Sequence, residues 1–257
     1  TLGLEFLMSV GLTTSGGQGD VVTRHKLKQR PSNVTLKVTM AVTGTIFALF
    51  VFVHMVGNLK AFMGPEDYDA YARFLRTLLY PLLPYEGGLW IFRLVLSACL
   101  VLHVWAGITV WLRGRKARGK FGRYGAKPKS FFARTMILSG LLILVFVVVH
   151  LLDLTIGAGL SSQYYQPAVH LGGDQVQIHA YENLVASLSR PWMAIFYSVI
   201  MVIIGCHIGQ GAWNTINDFG GGPRLRKVWF LIGLLIALAI VVANGALPML
   251  ILAGVIS

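Results

Sequence analysis

Residues 135–153 read TMILSGLLILVFVVVHLLD, and from Met136 to Leu152 no side chain carries a formal charge. As a helix rising ~1.5 Å per residue, this run with its flanks crosses a bilayer core of roughly 30 Å. Its one imidazole, His150, is costly to place among leucines and valines. An ionisable group at such depth marks a functional site. The decisive question is what His150 faces.

Of the 257 residues, 55% are apolar and only 12% are charged, a membrane composition rather than that of a soluble core. Four more apolar runs accompany the first. After an arm of residues 1–34, spans are expected at 35–62, 88–112, 131–156, 191–213 and 228–256. The fold class is therefore an all-α integral membrane protein of five transmembrane helices, with residues 35–257 as one bundle. The arm lacks the basic start and cleavage site of a signal peptide. It reads either as an interfacial or partner-docked piece or as a frayed terminus. Between the first two spans, residues 65–79 have helical spacing suited to the membrane surface.

The net charge of +12 is clustered between apolar runs, which points to topology rather than to nucleic acid. Arg24, Lys26, Lys28, Arg30 and Lys37 precede or open the first span. The loop from Arg113 to Lys129, and the one holding Arg224, Arg226 and Lys227, are also basic. The other two loops are acidic or nearly neutral. Positive-inside then places the N-terminus in the cytoplasm and the C-terminus outside. Cys99 and Cys206 lie within apolar runs and read as buried small hydrophobes. The chain reads as free of internal repeats.

Orientation turns residue numbers into depths. His54 stands ~26 Å from Lys37, and His150 ~24 Å from Arg134, both toward the outer side. His103 stands ~22 Å from Gly88, and His207 ~24 Å from Pro191, both toward the inner side. Four histidines, one per span, thus form two pairs at two depths. Two stacked b-type haems need that arrangement, because an iron held by imidazole on both axial sites carries electrons rather than binding oxygen. Gly44, Gly57, Gly107, Gly140 and Gly205 offer space for porphyrin faces. The bland alternative is four unrelated histidines, each hydrogen-bonded to a neighbouring helix. One shared zinc ion is disfavoured by the separation of the pairs, and without a Cys-x-x-Cys-His motif covalent haem attachment is not expected. His25, His170 and His179 fall in polar segments and read as solvated.

With His54-Met55-Val56-Gly57-Asn58-Leu59 ending the first span, His103, His150 and His207 on the next three, and a fifth span without histidine, the sequence resembles the membrane cytochrome b subunit of the succinate:quinone oxidoreductase family. The likeness is to the single-chain, five-span, dihaem type of bacterial succinate dehydrogenases and fumarate reductases, and it runs from about Val34 to the C-terminus. It implies a bacterial cytoplasmic membrane and two haem b groups, the inner held by His103 and His207 and the outer by His54 and His150. It also implies an iron–sulfur subunit on the cytoplasmic face, linked to a flavoprotein subunit that carries the dicarboxylate chemistry. The basic inner loops are a docking surface for that subunit, or contacts to anionic lipid.

Quinone must then exchange electrons and protons near one haem, and a low-potential menaquinone would make electron passage across the membrane matter. Candidates near the outer haem are Asp153, Glu66, Asp67 and Arg73; near the inner one they are Trp111, Arg113 and Trp213. Asp153 reads equally as an interfacial acid closing a span, and the tryptophans as interface anchors. Arg93 either pairs with haem propionates or snorkels outward. Two competing readings are the cytochrome b of a hydrogenase or formate dehydrogenase, and a haem-free transporter or scaffold whose histidines relay protons.

Overall fold

The computed structural model describes residues 31–120, 128–172 and 175–257, with side chains of 128–134 and 170–175 left aside. Residues 1–30 of the arm with His25, the 121–127 stretch of the basic loop and the His170 side chain lie outside the described residues. Five helices are long and apolar enough to cross a membrane, as expected of a multi-pass membrane protein. They are α1 (Asn33–Asn58), α3 (Gly87–Arg118), α4 (Pro128–His150), α6 (Pro191–Asp218) and α7 (Pro223–Leu252). Two short helices, α2 (Pro65–Arg76) and α5 (Ala180–Leu188), lie between spans.

Local chemistry sets the ends. Ser32 caps α1 by accepting from the Thr35 amide at 3.0 Å, which satisfies one of the orphan donors of the first turn. Acidic Glu66 and Asp67 open α2, and Arg73 and Arg76 close it, in the sense the helix dipole favours. The last span stops at Leu252 rather than near residue 256. Gly254 there adopts a left-handed φ of 72°, so that Val255 N–H reaches Leu250 O and Gly254 N–H reaches Ile251 O, both at 3.0 Å. That pair of bonds ends a helix. The same closure at Gly220 ends α6 at Asp218, beyond the expected 213.

The packing defines a ring. α1 lies against α3 and α6, and α4 lies against α6 and, sparsely, α3; α7 sits outside on α6, touching α1. Round the ring the order is α1–α3–α4–α6. At one end Lys37 of α1 pairs with Asp218 of α6 at 2.8 Å, and Arg113 of α3 donates to Asn33 of α1 at 2.8 Å. At the other end Asp69 of α2 accepts from the Ala180 and Tyr181 amides that open α5, at 2.9 and 3.0 Å. Ring neighbours therefore run antiparallel. The outer face of the bundle is rich in exposed Leu, Val, Ile and Phe, as a lipid-facing surface requires. α6 and α7 approach closely through small residues: a Cβ on Gly205 would overlap Val241, and one on Gly233 would overlap Ala212.

Three expectations need correction. The connection from 157 to 190 is not merely a polar loop. It holds a hairpin, β1 (Val169–Gly172) paired antiparallel with β2 (Gln175–Gln177), and then α5. Tyr181, Leu184 and Leu188 of α5 are buried, on a stripe too short to stand out in a polar segment. Cys99 is buried as expected, but Cys206 is exposed, because its side of α6 looks out of the bundle.

The chain also does contain a repeat. Residues 39–54, TMAVTGTIFALFVFVH, align with 135–150, TMILSGLLILVFVVVH. Thr, Met, a hydroxyl residue, Gly, Phe, two valines and the closing His recur at one offset. Each stretch begins a unit of span, short helix and span: α1–α2–α3, then α4–α5–α6. The short helices α2 and α5 touch each other, with Tyr68 and Tyr181 rings 6.1 Å apart. Both units run the same way, so the described residues form two parallel units plus α7.

Candidate cofactor site

Across the ring, diagonal helices meet through histidines. His54 on α1 faces His150 on α4, with ring centres 5.9 Å apart and planes at 85°. His103 on α3 faces His207 on α6, at 6.5 Å and 59°. None of the four rings is buried in packed core. Each pair joins equivalent histidines of the two units, so both pairs straddle the line between the copies. Thr43 touches His103 and lies eleven residues before His54 on the same helix, which puts the pairs ~16 Å apart along the bundle.

The nitrogens are sorted by their partners. His103 Nδ1 lies 2.9 Å from Thr43 Oγ1, and that hydroxyl donates its proton to Thr39 O at 2.7 Å. A hydroxyl has one proton to give, so it accepts from His103 Nδ1–H, and the lone pair is left on Nε2. His207 repeats this with Ser139. Nδ1 to Oγ is 2.9 Å, and the hydroxyl donates to Met136 O at 3.1 Å. His150 Nδ1 lies 3.4 Å from Tyr197 Oη, whose proton goes to Asp153 Oδ2 at 3.0 Å. Among the described residues the His54 ring has no hydrogen-bond partner; Phe50 stacks on it at 5.6 Å. Phe146, the repeat mate of Phe50, stacks on His150 at the same distance. Tying one ring nitrogen to a fixed acceptor orients the other as a metal ligand.

These residues fit a bis-imidazole iron. A metal–imidazole bond is about 2 Å, so two rings on opposite sides of one ion have centres roughly 6 Å apart. Among the described residues no group of three or more His, Cys, Asp or Glu could hold a metal. Two imidazoles leave a bare ion short of its usual four ligands, whereas a porphyrin supplies four of its own. The repeated glycines make room for the imidazoles themselves. A Cβ on Gly44 would stand 3.2 Å from His103 Cε1, and one on Gly140 would stand 3.5 Å from His207 Cε1. Gly57 and Gly205 serve other purposes: Tyr71 fills the space over Gly57, and α7 fills that over Gly205.

The remaining candidates do not converge. Glu66, Asp67 and Arg73 are exposed on α2. At the Lys37 end, Trp111 lies under the Arg115 guanidinium at 4.9 Å, Arg113 holds Asn33, and Trp213 sets its ring edge-on to Phe230 at 5.5 Å. Arg93 is half-buried, pairs with Glu86 at 3.4 Å and lies 4.8 Å over Trp90. Asp153 is 1% exposed, with Arg190 Nη2 at 2.6 Å from Oδ1 and Ser187 Oγ at 2.5 Å from Oδ2. A groove of about 240 Å³ opens along the α4–α6 seam, lined by Ser139, Leu142, Val202, Cys206, His207 and Gln210 among others.

Sequence reasoning missed Thr43, Ser139, Tyr197 and Arg190. The first two carried a signal, because each precedes a glycine and stands three helical turns before a histidine. No protein-family model, curated protein or solved structure matches the chain.

Proposed function

We propose that this chain is the dihaem cytochrome b membrane anchor of a succinate:quinone oxidoreductase-type complex. The observation that carries the reading is the pair of facing imidazole couples, on diagonal helices, with Nδ1 tied back on three of the four rings. His103 and His207 would hold one haem, His54 and His150 the other. Bound there, the haems supply one-electron transfer between an iron–sulfur subunit and membrane quinone. The chain's own part is to fix the imidazoles, set their tautomers and surround them with Phe47, Phe50 and Phe146.

Sequence resemblance and the basic Lys37 end support docking of an iron–sulfur subunit there, on the cytoplasmic side. Charge moved between the two levels would work against or with the membrane potential, at about 2.3 kcal/mol per charge per 100 mV for a full crossing. The groove beside His207 is apolar with a few polar groups, the character of a site for a quinone ring.

The test is a dithionite-reduced minus oxidised spectrum of the purified complex, with haem counted per chain and co-purifying subunits identified. About two b haems per chain, with a flavin-bearing dicarboxylate subunit alongside, is the expected result. A haem-free preparation would overturn the reading, and a nickel or molybdenum partner would reassign the complex.

A further inference from the structure

One of the four histidines is backed unlike the others. Behind His103 and His207 a neutral hydroxyl ends on a main-chain carbonyl. Behind His150 the chain of hydrogen bonds ends on a carboxylate. Its middle member, Tyr197, is wedged with ring centres 5.1 Å from Phe146 and 6.1 Å from Phe196. Its last member, Asp153, sits in the π-helical turn Leu151–Ile156 that follows α4, a widening often found at functional sites. Arg190, which balances Asp153, is itself fixed, donating to Ser187 O at 3.1 Å and to Leu160 O at 2.7 Å. The duplicated unit has no such device. The residue three beyond His54 is Gly57, covered by Tyr71.

Resting on the dihaem reading, we propose that Tyr197 and Asp153 are positioning residues. They raise the donor strength of His150 and so lower the potential of the haem that His54 and His150 would hold. A carboxylate that accepts, through the phenol, from His150 Nδ1–H pushes electron density toward Nε2. A stronger imidazole donor favours the ferric over the ferrous state. The neutral hydroxyls behind the other pair exert no comparable pull. Asp153 in this role stands behind a ligand rather than in front of a substrate.

The experiment is a spectroelectrochemical titration of the intact complex, comparing the parent with Tyr197→Phe, Asp153→Asn and the double variant. His54→Ala first identifies which haem belongs to this pair. Tyr197→Phe and Asp153→Asn should each favour reduction of that haem by about tenfold, ~59 mV for one electron. The other haem should stay where it is, and the double variant should add little. Two bound haems with unmoved midpoints, or with midpoints moving together, would overturn the proposal. So would loss of the haem from Tyr197→Phe, because that variant keeps the packed ring and removes only the hydroxyl. Absence of haem from the parent complex would instead sink the underlying dihaem reading.

Discussion

An imidazole can offer a metal only one nitrogen, so the partner of the other decides what the residue does. Thr43 and Ser139 make that choice for His103 and His207, each already committed as a donor to its own helix. Thr43→Val and Ser139→Ala leave a half-buried imidazole N–H without its acceptor, at a cost of about 1 kcal/mol. Loss of such an orienting partner weakens metal binding about 10- to 100-fold. Haem transfer to an apoprotein scavenger should therefore speed up for one haem and not for the other. Equal rates in variant and parent would show that the hydroxyls do not orient the ligands. These partners are invisible to a reading that counts residues from span ends, because they come from a different helix at the same level. The histidines were legible because depth along a helix is simple arithmetic.

At the scale of elements, the two helices outside the spans hold the Asp69 end together. Asp69 receives both opening amides of α5, which makes it a cap supplied from another helix. Burial pushes its carboxyl above the usual carboxylate range, more than the Tyr181 and Ala180 amides pull it down. With the folded value above the unfolded one, protonation favours the folded end. That contribution is full below the ordinary carboxylate range and fades as pH rises through the raised value. Asp69→Asn keeps an oxygen for both amides and carries no charge, so the pH dependence of α5 amide exchange over this range should flatten. Asp69→Ala should expose α5 by about 1 kcal/mol, the usual loss for a cap. Faster α5 exchange at every pH would be the readout. The α6–α7 seam makes a second case. Gly205→Val drives a side chain into Val241 and toward the Ala237 carbonyl, and overpacking of this kind costs about 1–3 kcal/mol. Its melting temperature in detergent should fall while haem per chain holds, since α7 lies outside the ring.

The whole molecule is two copies of one unit with a fifth span laid against them, and the histidines follow that plan. Each copy contributes one histidine to each pair, so neither copy can form a pair alone. The spans themselves were readable because apolar length reports on the bilayer directly. The duplication was harder to see. Outside 39–54 and 135–150 the two units share no comparable run, and within it the shared Gly, Phe and hydroxyl are the positions that touch imidazoles. Pairing across copies has a consequence that four independent histidines lack. His54→Ala and His150→Ala should each leave about one haem per chain, and the double variant should lose no more, because both act on one iron. His54→Ala combined with His103→Ala should leave none. Haem counted by pyridine haemochrome would separate the schemes: graded loss over all four positions points to independent histidines, and the one, one, zero pattern to ligands shared between copies.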